Sequence, residues 1–197
     1  MGREFWNKLI TTIKQCDSKF VLHGSFLLNK LNFISRVPKD IDLGFVKGLS
    51  YKEKIFYWYK LISNFKIIER IIDNDIQKKY VIKFQDTTYV IECLLGKNFN
   101  KSQLEIYEGI FVLSDKYFLV SKFAQLCSKS ILYQELKSES LFQKILDINA
   151  DINQLRNINE IKTDLEFQFI FFEQNIISNL QFDILTNKTN IYNNFFD

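Results

Sequence analysis

The segments FVLHGSFLL (residues 20–28) and RVPKDIDL (residues 36–43) decide the fold of this 197-residue chain. An apolar run ends in a Gly-Ser turn, a second apolar segment follows, and Asp40 and Asp42 then stand two residues apart in an apolar strand. Side chains at positions i and i+2 of a strand point to the same face of the sheet. The two carboxylates therefore project side by side, while the apolar residues that alternate with them face a core.

The adjacent carboxylates and the turn before them predict a site for a divalent metal and a phosphate. Like charges raise each other's pKa unless a cation lies between them, and Mg²⁺ binds through one or two carboxylates plus substrate phosphates. Gly24 lets the backbone approach a ligand closely, and Ser25 adds a hydroxyl donor. A helix predicted over residues 26–31 would point its N-terminus at an anion. The two segments together indicate phosphoryl-type transfer.

The same residues also have an ordinary structural interpretation. Gly24 and Ser25 could form a plain strand-to-helix turn, and Asp40 and Asp42 could be a turn aspartate and an edge-strand charge. The alternating apolar residues of the second segment mark a half-buried strand, however, and placing charge there without a function is costly. The functional interpretation is therefore favoured.

In this order and spacing, the Gly-Ser turn and the Asp-x-Asp pair resemble the nucleotidyltransferase superfamily that includes DNA polymerase β. Arg36, shortly before the aspartates, narrows the resemblance to AbiEii/AbiGii-type toxin nucleotidyltransferases and to minimal nucleotidyltransferases. The resemblance implies an enzyme that uses Mg²⁺ or Mn²⁺ to move a nucleoside monophosphate from a nucleoside triphosphate to an acceptor. It also implies the toxin-like half of a toxin–antitoxin pair. The acceptor (RNA, protein or small molecule) stays open.

Glu92 is the candidate for a third catalytic acid. It is a carboxylate flanked by apolar residues on a strand predicted over residues 87–95. By resemblance, this superfamily carries a third acid on the strand next to the one with the pair, so Asp40, Asp42 and Glu92 would hold the metal together. The alternative is that Glu92 is a salt-bridged or edge-strand glutamate.

The resemblance also assigns the residues that would bind phosphate. Gly24 and Ser25 would hold the triphosphate, and Arg36 would neutralise its charge. The segment VLSDKYFLVSKFAQL (residues 112–126) resembles the segment that follows the sheet in AbiEii-type proteins, and Lys122 falls on its lysine. By resemblance Lys122 would reach the triphosphate, whereas the ordinary alternative is a solvated helix lysine.

The composition of the chain excludes some classes of protein and leaves others open. Hydrophobic residues make up 47% of the chain, including 20 Phe, which excludes global disorder. The net charge of +3 neither demands nor forbids a nucleic-acid partner. Three distant cysteines without a metal-binding spacing indicate reduced thiols. The sequence shows neither a signal-peptide pattern nor a run of about 18 apolar residues, so a cytoplasmic protein without a membrane partner is expected.

The pattern along the chain predicts an α/β (α+β) fold. Residues 1–113 are expected to form a nucleotidyltransferase-like core with a small mixed sheet, and residues 114–197 a C-terminal helical bundle. Apolar periodicity predicts helices over 5–15, 26–31, 51–64, 115–133, 140–153 and 158–185. Strands are predicted over 19–22, 40–45 and 65–72, in a hairpin over 79–84 and 87–95, and in a strand that ends at residue 113.

Other function classes stay open on the sequence alone. One is a catalytically silent protein of the same fold that acts as a binding partner, for instance with an antitoxin protein. Another is a structural helical adaptor, and the only feature that supports it is the aromatic C-terminal half of the chain. For the enzyme, the expected partners are a nucleoside triphosphate and a tRNA or protein acceptor.

Overall fold

The structure, a computed structural model, describes residues 3–156 of the chain. The helix predicted over residues 158–185 lies outside the described residues. The helices are α1 (Arg3–Gln15), α2 (Gly24–Lys30), α3 (Tyr51–Ile62), α4 (Asp115–Leu136) and α5 (Glu139–Arg156), with a 3-10 turn at Lys101–Gln103. The strands are β1 (Phe20–His23), β2 (Ile41–Val46), β3 (Lys66–Asp73), β4 (Gln77–Phe84), β5 (Thr87–Phe99), β6 (Leu104–Tyr107) and β7 (Ile110–Leu113).

The strands form one seven-stranded mixed sheet in the order β3-β4-β5-β2-β1-β7-β6. The pairs β2–β5 and β1–β7 are parallel, and the other neighbours are antiparallel. A mixed sheet with helices confirms the predicted α/β class. Strand β2, which carries Asp42 and begins directly after Asp40, lies inside the sheet between β5 and β1, so both of its edges are hydrogen-bonded.

The core forms where apolar residues follow the period of each element. Helix α1 buries one stripe of apolar residues, namely Phe5, Trp6, Leu9, Ile10 and Ile13. Strand β1 is buried along its whole length. In β5, Ile91, Cys93 and Leu95 are buried while the residues between them are half-buried. This alternation gives β5 one core face and one face that carries polar groups.

Two strand features were not predicted from the sequence. Strand β5 continues to Phe99, beyond the predicted end at residue 95, because its last residues pair with β2 at Phe45–Asn98 and Val46–Phe99. Strand β6 forms a hairpin with β7 around Glu108 and Gly109, both at positive φ. The end of β5 depends on long-range pairing, and β6 is short and largely exposed, so neither has a strong pattern in the local sequence.

The chain divides into two compact units at the boundary between Ser114 and Asp115. The first, the sheet unit, contains the sheet with α1 to α3, and the second is the helical unit. In the second, α4 packs against α5, and the buried side chains include Leu126, Leu141 and Leu155. Within residues 3–156, no helix combines the length and apolarity needed to cross a membrane.

Gly44 stands at the one irregular step in the β2–β5 pairing. There β2 advances from Leu43 to Phe45, while β5 advances from Cys93 to Asn98. A Cβ atom on Gly44 would lie 2.6 Å from a ring carbon of Phe99. The absence of a side chain at residue 44 therefore lets the two strands stay together through the bulge.

We expect Gly44→Ala to lower the free energy of unfolding by about 1–3 kcal/mol, because the added methyl group overpacks a buried contact. Gly96→Ala is the matched control, since a Cβ atom there would meet no atom within 4 Å. The control should be neutral or slightly stabilising. Urea unfolding of both variants measures the difference, and equal losses would contradict the assigned contact.

Candidate metal and phosphate site

The sheet aligns four polar residues in one row across four strands. Lys79 of β4 lies opposite Glu92 of β5, Glu92 lies beside Asp42 of β2, and Asp42 lies opposite His23 of β1. Register partners on neighbouring strands present their side chains on the same face of a sheet. The sheet register therefore brings residues distant in sequence to one place.

Two carboxylates of this row, Asp42 and Glu92, form a cluster with a third, that of Asp40. Asp40, Asp42 and Glu92 are all half-buried, and each offers an oxygen within 4.8 Å of the others. Asp40 immediately precedes β2 and so joins the cluster two residues before Asp42. The structure thus brings together all three acids that the sequence singled out. Carboxylate oxygens at this spacing suit a hard divalent cation such as Mg²⁺.

Gly24 gives the carboxylate of Asp42 its place. The φ angle of Gly24 is +75°, and a Cβ atom there would lie 2.0 Å from Asp42 Oδ2. Residue 24 must adopt a positive φ angle and must leave room for the carboxylate of Asp42. Glycine does both, because it adopts positive φ at no steric cost and has no side chain. The predicted turn glycine and the predicted metal ligand are therefore parts of one site.

Ser25 and Arg36 contact each other directly. The guanidinium of Arg36 donates to Ser25 Oγ at 2.5 Å, in the first turn of α2. The side chain of Asn29 fixes this loop by donating to the backbone carbonyls of Arg36 at 3.0 Å and Ile34 at 3.3 Å. The predicted phosphate ligands Gly24, Ser25 and Arg36 are thus brought together beside Asp42. The role of Asn29 was not predicted from the sequence.

Lys79 belongs to the site but was not predicted. Its ammonium lies 2.9 Å from Asp40 Oδ2 and 2.7 Å from Glu92 Oε2, and Gln77 donates to Glu92 Oε1 at 2.8 Å. Partial burial alone would lower the pKa of Lys79, but the hydrogen bonds with Glu92 and Asp40 outweigh it and raise that pKa. Glu92 is therefore salt-bridged as well as clustered with the aspartates.

The signal for Lys79 was present in the sequence. The predicted hairpin turns at Gln85 and Asp86, and the structure shows that two-residue turn, with Phe84 paired to Thr87. Counting back from such a turn places Lys79 directly opposite Glu92.

Lys122 lies in the helical unit. Its ammonium is 2.8 Å from Asp151 Oδ2, and both side chains are buried. The alternative of a solvated helix lysine is therefore wrong, because Lys122 is buried. A buried ammonium needs a paired anion, and Asp151 supplies it. Contact of Lys122 with a triphosphate stays a prediction.

A cavity of about 370 Å³ opens beside Asp40 in the sheet unit. Its volume lies within the range of small-molecule sites, roughly 300–1,000 Å³. The lining combines apolar and aromatic side chains with two threonines and charged residues: Phe26, Val37, Pro38, Lys39, Asp40, Ile41, Thr87, Thr88, Tyr89 and Val90. A carboxylate of the cluster thus borders a space of ligand size.

Comparison with models of known protein families gives no match, and comparison with curated proteins also gives none. Two solved structures are similar. One is a Helicobacter pylori protein assigned provisionally as a nucleotidyltransferase, at 15% identity and a TM-score of 0.46, covering 92% of this chain and 90% of that chain. The other is JHP933 from Helicobacter pylori, at 15% identity and a TM-score of 0.45, covering 100% of both chains.

Gly24→Ala should push the carboxylate of Asp42 from its position. Gly48→Ala is the matched control, because Gly48 also has a positive φ angle, +107°, but has open space at its Cβ position. Both variants carry backbone strain, and only Gly24→Ala adds the clash. We expect Gly24→Ala to lower the free energy of unfolding by about 1–3 kcal/mol more than the control.

Urea unfolding measures both losses, and an Asp42→Ala background tests the cause. With the carboxylate removed, the excess cost of Gly24→Ala should shrink, since the two residues are coupled through direct contact. An excess cost that is unchanged in that background would contradict the assigned packing.

Proposed function

We propose that this protein is a metal-dependent nucleotidyltransferase, which moves a nucleoside monophosphate from a nucleoside triphosphate to an acceptor and releases pyrophosphate. The observation that carries the proposal is the convergence of Asp40, Asp42 and Glu92 next to the turn that begins at Gly24. Nucleotidyl transfer needs a cation site and a phosphate site in contact, and this face of the sheet supplies residues for both.

The donor set fits Mg²⁺ or Mn²⁺. Both are hard cations that take carboxylate oxygens, and Asp40, Asp42 and Glu92 would hold them. When bound, the metal supplies charge stabilisation on the phosphates and activation of an attacking oxygen. The cluster also holds an ammonium in this structure, which shows that it accommodates positive charge.

The remaining residues would bind and orient the triphosphate. Arg36 presents a guanidinium that suits phosphate oxygens, since charge-assisted hydrogen bonds are the stronger class. Ser25 presents a hydroxyl, and the backbone beside Gly24 allows close approach of a phosphate. Their mutual contact at 2.5 Å positions the guanidinium and the hydroxyl together before a ligand arrives.

The cavity beside Asp40 gives room for a substrate group next to a metal ligand. The candidate acceptors, whose oxygen would attack the triphosphate, are RNA (including tRNA), protein side chains and small molecules. The AbiEii-type resemblance of the sequence favours the toxin half of a toxin–antitoxin pair as the setting, with an antitoxin protein as partner.

A second candidate function is a catalytically silent protein of the same fold that works by binding a partner. One observation favours it: the ammonium of Lys79 already bridges Asp40 and Glu92. In a silent protein this lysine would replace the metal permanently.

Transfer of label from nucleoside triphosphates separates the two candidates. With Mg²⁺ and a mixed pool of RNA, protein and small-molecule acceptors, the wild type should label an acceptor. Asp42→Asn should lower the rate by about 10²-fold or more, because it removes charge from the site that stabilises the transition state. Asp86→Asn is the matched control, since Asp86 lies fully exposed in the hairpin turn, and it should behave like the wild type.

Circular dichroism of each variant confirms that the fold is retained. Absence of transfer with each of the four nucleotides, over the whole acceptor pool, would favour the silent binding protein. Equal labelling by the wild type and Asp42→Asn would contradict the assigned site.

A further inference from the structure

The ammonium of Lys79 contacts two of the three carboxylates that would hold a metal ion. It contacts Asp40 Oδ2 at 2.9 Å and Glu92 Oε2 at 2.7 Å, so two of the three acids direct an oxygen at the same cation. A divalent metal ion held by the same acids would stand close to this ammonium and repel it, and the two cations would compete for Asp40 and Glu92. Binding of one therefore opposes binding of the other.

Strand pairing and local hydrogen bonds hold Lys79 at this position. Lys79 is the direct partner of Glu92 in the antiparallel β4–β5 ladder, which fixes its backbone opposite the carboxylate. Its side chain is only 23% exposed. Gln77, on the same strand and face, donates to the second oxygen of Glu92 at 2.8 Å. Strand β4 thus supplies a partner for each oxygen of Glu92.

The charges show why the cluster needs this lysine when no metal is bound. Three carboxylates against one ammonium leave a formal charge of −2 on these four side chains. Without Lys79 the cluster would carry −3, with the like charges within a few ångströms of one another and partly out of water. Removal of the cation that Asp40 and Glu92 share would therefore destabilise the fold.

We propose that Lys79 is a built-in counter-ion of the metal site, which keeps Asp40 and Glu92 in place before the metal binds and competes with the metal for their oxygens. Its long, flexible stem lets the ammonium move aside without displacing β4. The wild-type site therefore binds free divalent cations more weakly than its carboxylates alone would. This inference rests on the proposed function in one respect, that Asp40, Asp42 and Glu92 are the metal ligands.

A lysine that only stabilises the sheet would behave differently. Its removal would loosen the cluster and leave metal affinity unchanged or weaker. A competing lysine, once removed, leaves the carboxylates with more negative charge for the metal, and affinity rises. The direction of the change in metal affinity thus distinguishes a competitor from a purely structural residue.

Mn²⁺ binding to the full chain, followed by isothermal titration calorimetry and by electron paramagnetic resonance of free Mn²⁺, measures that direction. We expect Lys79→Met to bind Mn²⁺ at least about tenfold more tightly than the wild type, since it removes a unit charge a few ångströms from the ion. Lys83→Met is the matched control: Lys83 lies on the same strand and face, beside the exposed Asp86. It should bind Mn²⁺ as the wild type does.

Lys79→Gln covers the case in which Lys79→Met does not fold, because the amide keeps a hydrogen-bond donor without the charge. It should also bind Mn²⁺ more tightly than the wild type. In melting experiments without metal, Lys79→Met should unfold at a lower temperature than the wild type. Added Mn²⁺ should raise its melting temperature more than that of the wild type.

The outcomes separate this inference from the proposed function. Tighter Mn²⁺ binding by the Lys79 variants supports the inference, whether or not nucleotide label is transferred. Equal or weaker binding by these variants, with binding lost in Asp42→Asn, would overturn the inference and leave the metal site standing. Absence of Mn²⁺ binding from every variant would overturn the inference and the metal site together.

Discussion

The parallel pairing of β2 with β5 is the constraint on which the site depends. It sets Asp42 beside Glu92 although fifty residues separate them in the chain. A one-residue slip of either strand would turn its carboxylates to the opposite face of the sheet. The register is held by burial of Ile41, Leu43 and Ile91 on the other face and by the bulge that Gly44 permits. One face of the β2–β5 pair therefore packs in the core, and the other face carries the carboxylates of the site.

The charge of the cluster links this geometry to function. A sheet that gathers three carboxylates on one half-buried face must also supply positive charge, because the repulsion would otherwise oppose folding. Strand β4 supplies Lys79 from the hairpin with β5. Asp40 and Glu92 thus have a protein cation as partner without a ligand. If the proposed site binds a metal ion, that ion would replace a protein cation as well as water, and Lys79 would relate stability to metal binding.

Much of the site could be predicted from local sequence. The Gly-Ser turn, the Asp-x-Asp strand and the lone glutamate of an apolar strand have residue patterns that indicate their positions, and the structure brings them together. The role of Lys79 could have been inferred only from hairpin register, since a lysine on a polar face gives no local signal. The length of β5 and the presence of β6 depend on long-range pairing, which a single sequence does not contain. The buried ion pair of Lys122 with Asp151 also depends on a contact between residues distant in the chain, so it could not be predicted from local sequence.

The most direct test of the proposed metal site is the position of Mn²⁺ in a crystal grown with a non-hydrolysable nucleoside triphosphate, located by anomalous scattering at the manganese absorption edge. The proposed site predicts a peak bonded to oxygens of Asp40, Asp42 and Glu92 at about 2.1 Å. It also predicts that the ammonium of Lys79 has moved away from the two oxygens that it contacts in the free protein. A peak at other residues, or crystals containing Mn²⁺ in which Lys79 still bridges Asp40 and Glu92, would contradict it.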